Sequence, residues 1–312
     1  ISVSTITSFQ TFVAQKIANR INNQYGTELE ISRAELDYSG KIDLNDFLIR
    51  DHKNDTLIYF KSFYLSPKSL GKMLSSDFNF NSISLDGLTL NIYKYLDEDQ
   101  TNLDIFIDKI NNENKAELNN INFNYLIKKI EALNSTINYK DFNNNKKLAV
   151  ISDLNFHLID FELKNNNISV EINNLSLKNN LSEDLKSFSS IVTYSEKNLL
   201  LKESKIEFGN SKLRADLKFD FSNIDYLNYD KLFDSVYFDF SFKDSKIITA
   251  DFNSFYKKIN DSYNEEWVLN GSIIGNLNNL ILNEIIFTNE NNYIKFNSSF
   301  KNLFNKNADY DL

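Results

Sequence analysis

Few residues in this chain have the type and spacing to do chemistry. His52 and His157 are the only histidines in 312 residues, and there is no cysteine. Neither histidine stands at metal-ligand spacing from another donor, so they read as a turn residue and a strand-surface residue. The missing thiols remove disulfides, thiolate metal sites and cysteine nucleophiles. The segment DHKND at 51–55 gathers carboxylates but lacks the glycine and closing glutamate of a calcium loop. The cluster LDEDQ at 96–100 reads as a solvated loop. No phosphate-cradling glycine loop and no GxSxG elbow occurs, and only 7 glycines are present. The lone Trp267 reads as core. These residues point away from an enzyme, and no catalytic residue, metal site or cofactor is expected. An enzyme with a hidden carboxylate pair is the weakest rival.

The signal lies instead in the elements. Aromatic residues make up 14% of the chain, with 26 Phe and 16 Tyr, a composition that suits pleated strands. Asparagine is the commonest residue and fills the gaps between apolar runs. It tolerates the left-handed backbone and so substitutes for scarce glycine in turns. The formal net charge of −9 and the lack of a basic patch argue against a nucleic-acid partner. No run of 18 or more apolar residues is present.

Residues 7–26, TSFQTFVAQKIANRINNQYG, form the first predicted element. Thr7 and Gln10 have capping-box spacing, and Gly26 is a left-handed stop. Phe9, Phe12, Val13, Ile17 and Ile21 make one apolar stripe at helical period. Such a helix either packs on a core, plugs the end of an open sheet, or lies on a membrane surface. After it the period becomes two. DHKND is expected to turn into the strand TLIYFKSFYLS, and Asp86-Gly87 is a turn or bulge before Leu88, Leu90 and Ile92. A short helix is expected in NLDIFIDKI, on Leu103, Phe106, Ile107 and Ile110, followed by a polar loop. A second is expected in DFNSFYKKINDSYNEEW. Between and beyond them strands alternate, as at Leu217, Phe219 and Phe221, at Phe238, Phe240 and Phe242, and at Ile294 and Phe296. The stretches LLLKESKIEFGNSKLRADLKF and LILNEIIFTNENNYIKFNSSF echo each other as strand, polar turn and strand.

The fold expected is mainly β: an elongated, curled antiparallel sheet with an N-terminal amphipathic helix and one or two short inserted helices. The segments are the helix at 1–26, the first strands at 27–96, the helix and loop at 97–120, and further strands at 121–312. A single layer of such strands leaves its apolar face uncovered. A second sheet covers it in an adhesin-like sandwich. In a curled trough, lipid chains do.

Three stretches carry a resemblance: QTFVAQKIANRINNQYGTELEISRAEL, GKIDLNDFLIRDHKNDTLIYFKSFYLS and SISLDGLTLNIYKYLDEDQTNLDIFIDKI. Together they resemble the N-terminal periplasmic region of the TamB branch of the AsmA-like family, in its Bacteroidota form. The likeness is strongest from Gln10 to Ile110 and is mostly hairpin pattern from about Leu148 onward. It implies a repeating β-groove in the periplasm of a Gram-negative envelope, anchored in the inner membrane by a helix just upstream of Ile1. The implied activity is conduction of phospholipid between inner and outer membrane. The implied partners are phospholipid acyl chains, the inner membrane and, through a C-terminal domain outside this chain, an outer-membrane barrel. Leu88, Leu90, Ile92, Leu217, Phe219, Phe221, Phe238, Phe240, Phe242, Ile294 and Phe296 are then expected to line the groove, with the helix stripe as its plug. The alternative is an envelope scaffold that assists outer-membrane protein assembly by strand pairing.

Overall fold

A computed structural model describes residues 28–36, 41–69, 79–114, 124–144, 148–180, 183–222, 235–252, 264–303 and 309–311, with Gln15, Asn19 and Asn22. The chain is mainly β, as its aromatic and β-branched alternation requires, and divides into two units. The first comprises residues 1–161 and 176–181, and the second 162–175 and 182–312.

In the first unit, β1 (Glu28–Leu36), β2 (Ile42–Arg50) and β3 (Thr56–Pro67) form an antiparallel meander. DHKND is the β2–β3 turn as expected, with Asn54 left-handed at φ 68°. β4 (Phe80–Asp86) and β5 (Thr89–Lys94) lie end to end: both pair with β3, and both run parallel to β6 (Asn124–Asp141). Asp86-Gly87 is therefore a bulge in one broken strand, not a hairpin turn. Gly87 has φ +64°, and a Cβ there would meet the Lys61 Cβ at 3.2 Å. The parallel pairing corrects the wholly antiparallel expectation. Parallel neighbours need a crossover, and helix α1 (Asn102–Asn114) lies within it. On α1, Leu103, Ile105 and Phe106 are half-buried, while Ile107 is 45% exposed. Leu103 and Phe106 thus lie on the covered side as expected, whereas Ile105 takes the place expected of Ile107.

Gln15, Asn19 and Asn22 are helical, and the Asn22 carboxamide holds both backbone groups of Leu29 in β1, at 2.9 and 2.7 Å. The apolar stripe Phe9, Phe12, Val13, Ile17 and Ile21 lies outside the described residues.

In the second unit, β9 (Leu185–Tyr194), β10 (Asn198–Phe208), β11 (Ser211–Asp220), β12 (Tyr237–Ile248), β13 (Glu266–Gly275), β14 (Leu280–Thr288), β15 (Tyr293–Lys301) and β16 (Asp309–Asp311) pair antiparallel in chain order. β7 (Ala149–Lys164), which belongs to the first unit up to Phe161, and β8 (Asn167–Asn179), which belongs to the second up to Leu175, are joined by Asn165-Asn166, both left-handed, as a two-residue hairpin turn requires. Of the expected second inserted helix, a 3-10 turn at Thr249–Phe252 is described, and its continuation lies outside the described residues.

The strands share one device. Asn134 in β6, Glu203 in β10, Asp244 in β12 and Glu284 in β14 all have positive φ inside a strand. At the last three the ladder register shifts, which marks a bulge. A bulge leaves one N–H out of the ladder and bends the strand. Each free N–H donates instead to a side-chain oxygen one strand over: Asn155 at 2.9 Å, Asp216 at 2.7 Å, Asn270 at 2.8 Å and Asn297 at 2.6 Å. The next residue is sealed: Ser135, Ser204, Ser245 and Ile285 are at most 3% exposed. The two echoing stretches prove to be β10–β11 and β14–β15, with Glu203 and Glu284 at matching positions and their caps 13 residues later in both.

Candidate functional site: the uncharged strand faces

Partners directly opposite in a ladder project to the same face of a sheet. In the second unit this rule assembles one surface. Leu201, Leu217, Phe240, Ile273 and Leu282 follow each other across five strands. Beside them run Leu199, Phe219 and Phe238. Beyond the bulges the same face continues through Ile206 and Leu213, then Ile247 and Trp267, then Phe287 and Ile294. None of these residues is charged. The rings pack on one another: Phe238 and Phe240 stack at 4.7 Å, Phe219 meets Phe240 edge-on at 5.1 Å, and Phe219 and Phe221 stack at 6.4 Å. The opposite face carries Lys202, Asp216, Lys218, Asp239, Ser241 and Lys243, all exposed.

Most of the apolar side chains are neither sealed nor free. Leu217, Phe219, Phe221, Phe240, Phe242 and Phe296 are half-buried, whereas Phe238 is 7% exposed and Ile294 47% exposed. Six of the expected lining residues, from Leu217 to Phe242, form one patch. Phe296 joins the face three strands away, opposite Ile285. Trp267, expected in the core, is half-buried on the apolar face, edge-on to Phe287 at 6.4 Å. Sequence reading missed Leu199, Leu201, Ile273 and Leu282, although each alternates in phase with its neighbours.

Leu88, Leu90 and Ile92 belong to the first unit. Leu90 pairs with Ile58 and Ile137, and Ile92 with Tyr139; Leu88, at the break, accepts the Thr136 N–H at 2.7 Å. Their face runs on through Ile31, Phe47 and Phe60, with Phe47 and Phe60 stacked at 4.2 Å, and through Leu44, Phe63 and Leu85. It too is uncharged.

A second cluster in the first unit is polar and buried. Asp51, 7% exposed, accepts N–H groups of Lys53 and Asp55 at 2.9 and 3.0 Å, the Tyr95 hydroxyl at 2.7 Å and the Asn102 amide at 2.8 Å. Burial alone raises its pKa, but these four donors outweigh burial and hold it below the usual carboxylate value. Burial, and then the bonds to Asp51 and Asp55, push the Tyr95 hydroxyl far up. Asn102, 1% exposed, also accepts the Tyr93 N–H at 2.8 Å and donates to the Asn91 carbonyl. His52 and Lys53 both meet Glu98, at 3.0 and 2.9 Å. Every polar group named here has a partner, which is the arrangement of a structural clasp. It fixes the start of α1 to the β2–β3 turn. Among the described residues no group of three or more His, Asp or Glu is placed to hold a metal.

A cavity of about 730 Å³ in the second unit is lined by Glu162, Lys164, Asn167, Ser169, Thr193 and Lys218 among others. Ile168, Tyr194 and Leu200 complete its mixed walls, and the pairing of Leu200 with Lys218 puts it on the face opposite Leu201 and Leu217. No protein-family model matches the chain, and no curated protein matches it.

Proposed function

We propose that this chain is the membrane-proximal segment of a periplasmic bridge whose uncharged strand faces carry phospholipid acyl chains between inner and outer membrane. The observation that supports this most is the continuous uncharged face of half-buried Leu, Ile and Phe side chains, with charged residues on the other side. A face of that kind needs an apolar occupant, because exposing it to water costs about 25 cal/mol per Å². A sandwich would seal its phenylalanines with a second layer, as Phe238 is sealed. Half-buried neighbours such as Phe219 and Phe240 instead leave surface for acyl chains. Each methylene transferred there contributes roughly 0.8 kcal/mol. Evenly spread Leu, Ile and Phe side chains hold a chain without one deep trap, which is what passage requires.

The rest of the reading, its membrane anchor and its outer-membrane destination, rests on the sequence resemblance. Strand capture by edge pairing has less support. β1 pairs with β2 alone among the described strands and carries Glu28, Glu30 and Arg33, exposed charges that discourage pairing with another chain.

The test is Phe240→Glu. The variant should stay folded by circular dichroism and purify with at least tenfold less bound phospholipid than wild type by lipid mass spectrometry. A variant that unfolds would make Phe240 ordinary core, and one that keeps its lipid would refute the reading.

A further inference from the structure

One end of the first unit carries an ordered tip with exposed apolar side chains. The strand β5 ends at Lys94, and the next residues, Tyr95 to Asp99, are locked rather than loose. Asn143 donates to the carbonyls of Tyr95 and Glu98 and accepts the Asp97 N–H, at 2.8–3.1 Å. The Phe142 N–H bonds the Lys94 carbonyl at 2.9 Å, and the Phe142 ring stacks on Tyr95 at 5.8 Å. Tyr93 meets both rings edge-on. This ordered tip presents Leu96 at 67% exposure and Phe142 at 41%. The Lys140 ammonium lies 4.4 Å over the Phe142 ring, and Lys53 lies 6.0 Å over Tyr95.

A fixed tip of Leu, Phe and Tyr with lysines against the rings has the composition of side chains at a bilayer interface, where rings sit at headgroup level and lysine stems lie along apolar surface. The backbone adds direction. Glu28 pairs with Arg50, next to the β2–β3 turn, and Tyr95 bonds that same turn through Asp51 and Asp55. The tip and the start of β1, where Asn22 grips Leu29, therefore lie at one end of the unit. Charge narrows the surface. The described residues of this end carry Lys53, Lys94 and Lys140 beside Asp55, Asp97, Glu98, Asp99 and Asp141, with Glu98 held by Lys53 and His52 and Asp141 bonded by Asn143 and Asn144. Among these described residues acids outnumber bases, so an anionic surface is repelled.

We propose that Leu96 and Phe142 insert into a zwitterionic phospholipid surface and seat this end of the first unit on the membrane. The contact is separate from the acyl-chain face, but it rests on the same membrane reading. The probe is a co-sedimentation assay of the full chain with phosphatidylethanolamine–phosphatidylcholine vesicles. Wild type should bind. Binding should hold as salt is raised and weaken when phosphatidylglycerol is added. L96E/F142E should bind at least tenfold less, while L96F/F142L, which keeps the apolar tip, should bind like wild type. The groove variant Phe240→Glu should still sediment, so loss of lipid carriage and loss of docking are read separately. Wild type that stays in the supernatant, vesicle binding unaltered in L96E/F142E, or binding that increases with anionic lipid would each overturn the proposal.

Discussion

At the scale of residues, Asp51 has the most work to do. It ties the β2–β3 turn to Tyr95 and to the first residue of α1, across 44 and 51 residues of chain. Removing it leaves buried donors without an acceptor, so Asp51→Ala should cost about 2 kcal/mol in urea unfolding. Asn102→Ala should cost a similar amount, and the pair should be non-additive because they share a bond. The pH dependence follows from the lowered pKa. A carboxyl whose folded value lies below its unfolded value of about 3.9 contributes stability that is complete above that value and is lost as pH falls through the folded one. Unfolding midpoints measured from pH 5 to pH 2 should fall more steeply in wild type than in Asp51→Asn; parallel profiles would remove Asp51 from the acid response. None of this was legible in the sequence. DHKND read correctly as a turn, but its partners are Tyr95, Glu98 of LDEDQ and Asn102 of NLDIF, and only the pairing of β5 with β3 brings them to it.

At the scale of elements, the bulges decide how the strands bend. Glutamate is a poor left-handed residue, so Glu203 and Glu284 gave no turn signal, whereas the asparagines of the hairpin turns did. The strand alternation was legible because its period is two; the bulges hid in it because each adds one residue and the apolar face resumes unbroken. The echo between β10–β11 and β14–β15 was visible as pattern, and its physical content is the capped glutamate. Gly271 shows how tight these joints are. Its φ is +129°, and an added Cβ would lie 2.6 Å from the Glu284 carbonyl oxygen and 2.9 Å from the Ile285 Cα. Gly271→Val should therefore destabilise by about 3 kcal/mol or more, read as a lowered unfolding midpoint. Asn270→Ala, which removes only the cap on Asp244, should cost about 1 kcal/mol, since water can reach that exposed N–H. Equal costs for the two would show that the cap, not the close approach, holds the joint.

At the scale of the whole molecule, the proposed function assigns one face of the strands to lipid and the other to water. The sequence carried the apolar sets as runs of Leu, Ile and Phe but could not say which runs meet. Register does that: it gathers Leu217 to Phe242 into one patch and assigns Leu88, Leu90 and Ile92 to the other unit. The most direct measurement is photo-crosslinking in cells, with a photoreactive phenylalanine analogue placed in turn at Phe219, Phe240 and Leu282 and at Lys218, Asp239 and Ser241. The first set lies on the uncharged face of β11, β12 and β14, and the second on the opposite face of β11 and β12. Phospholipid adducts, identified by mass spectrometry, are expected at the first three positions and not at the second three. Adducts on both faces alike, or on neither, would contradict the account.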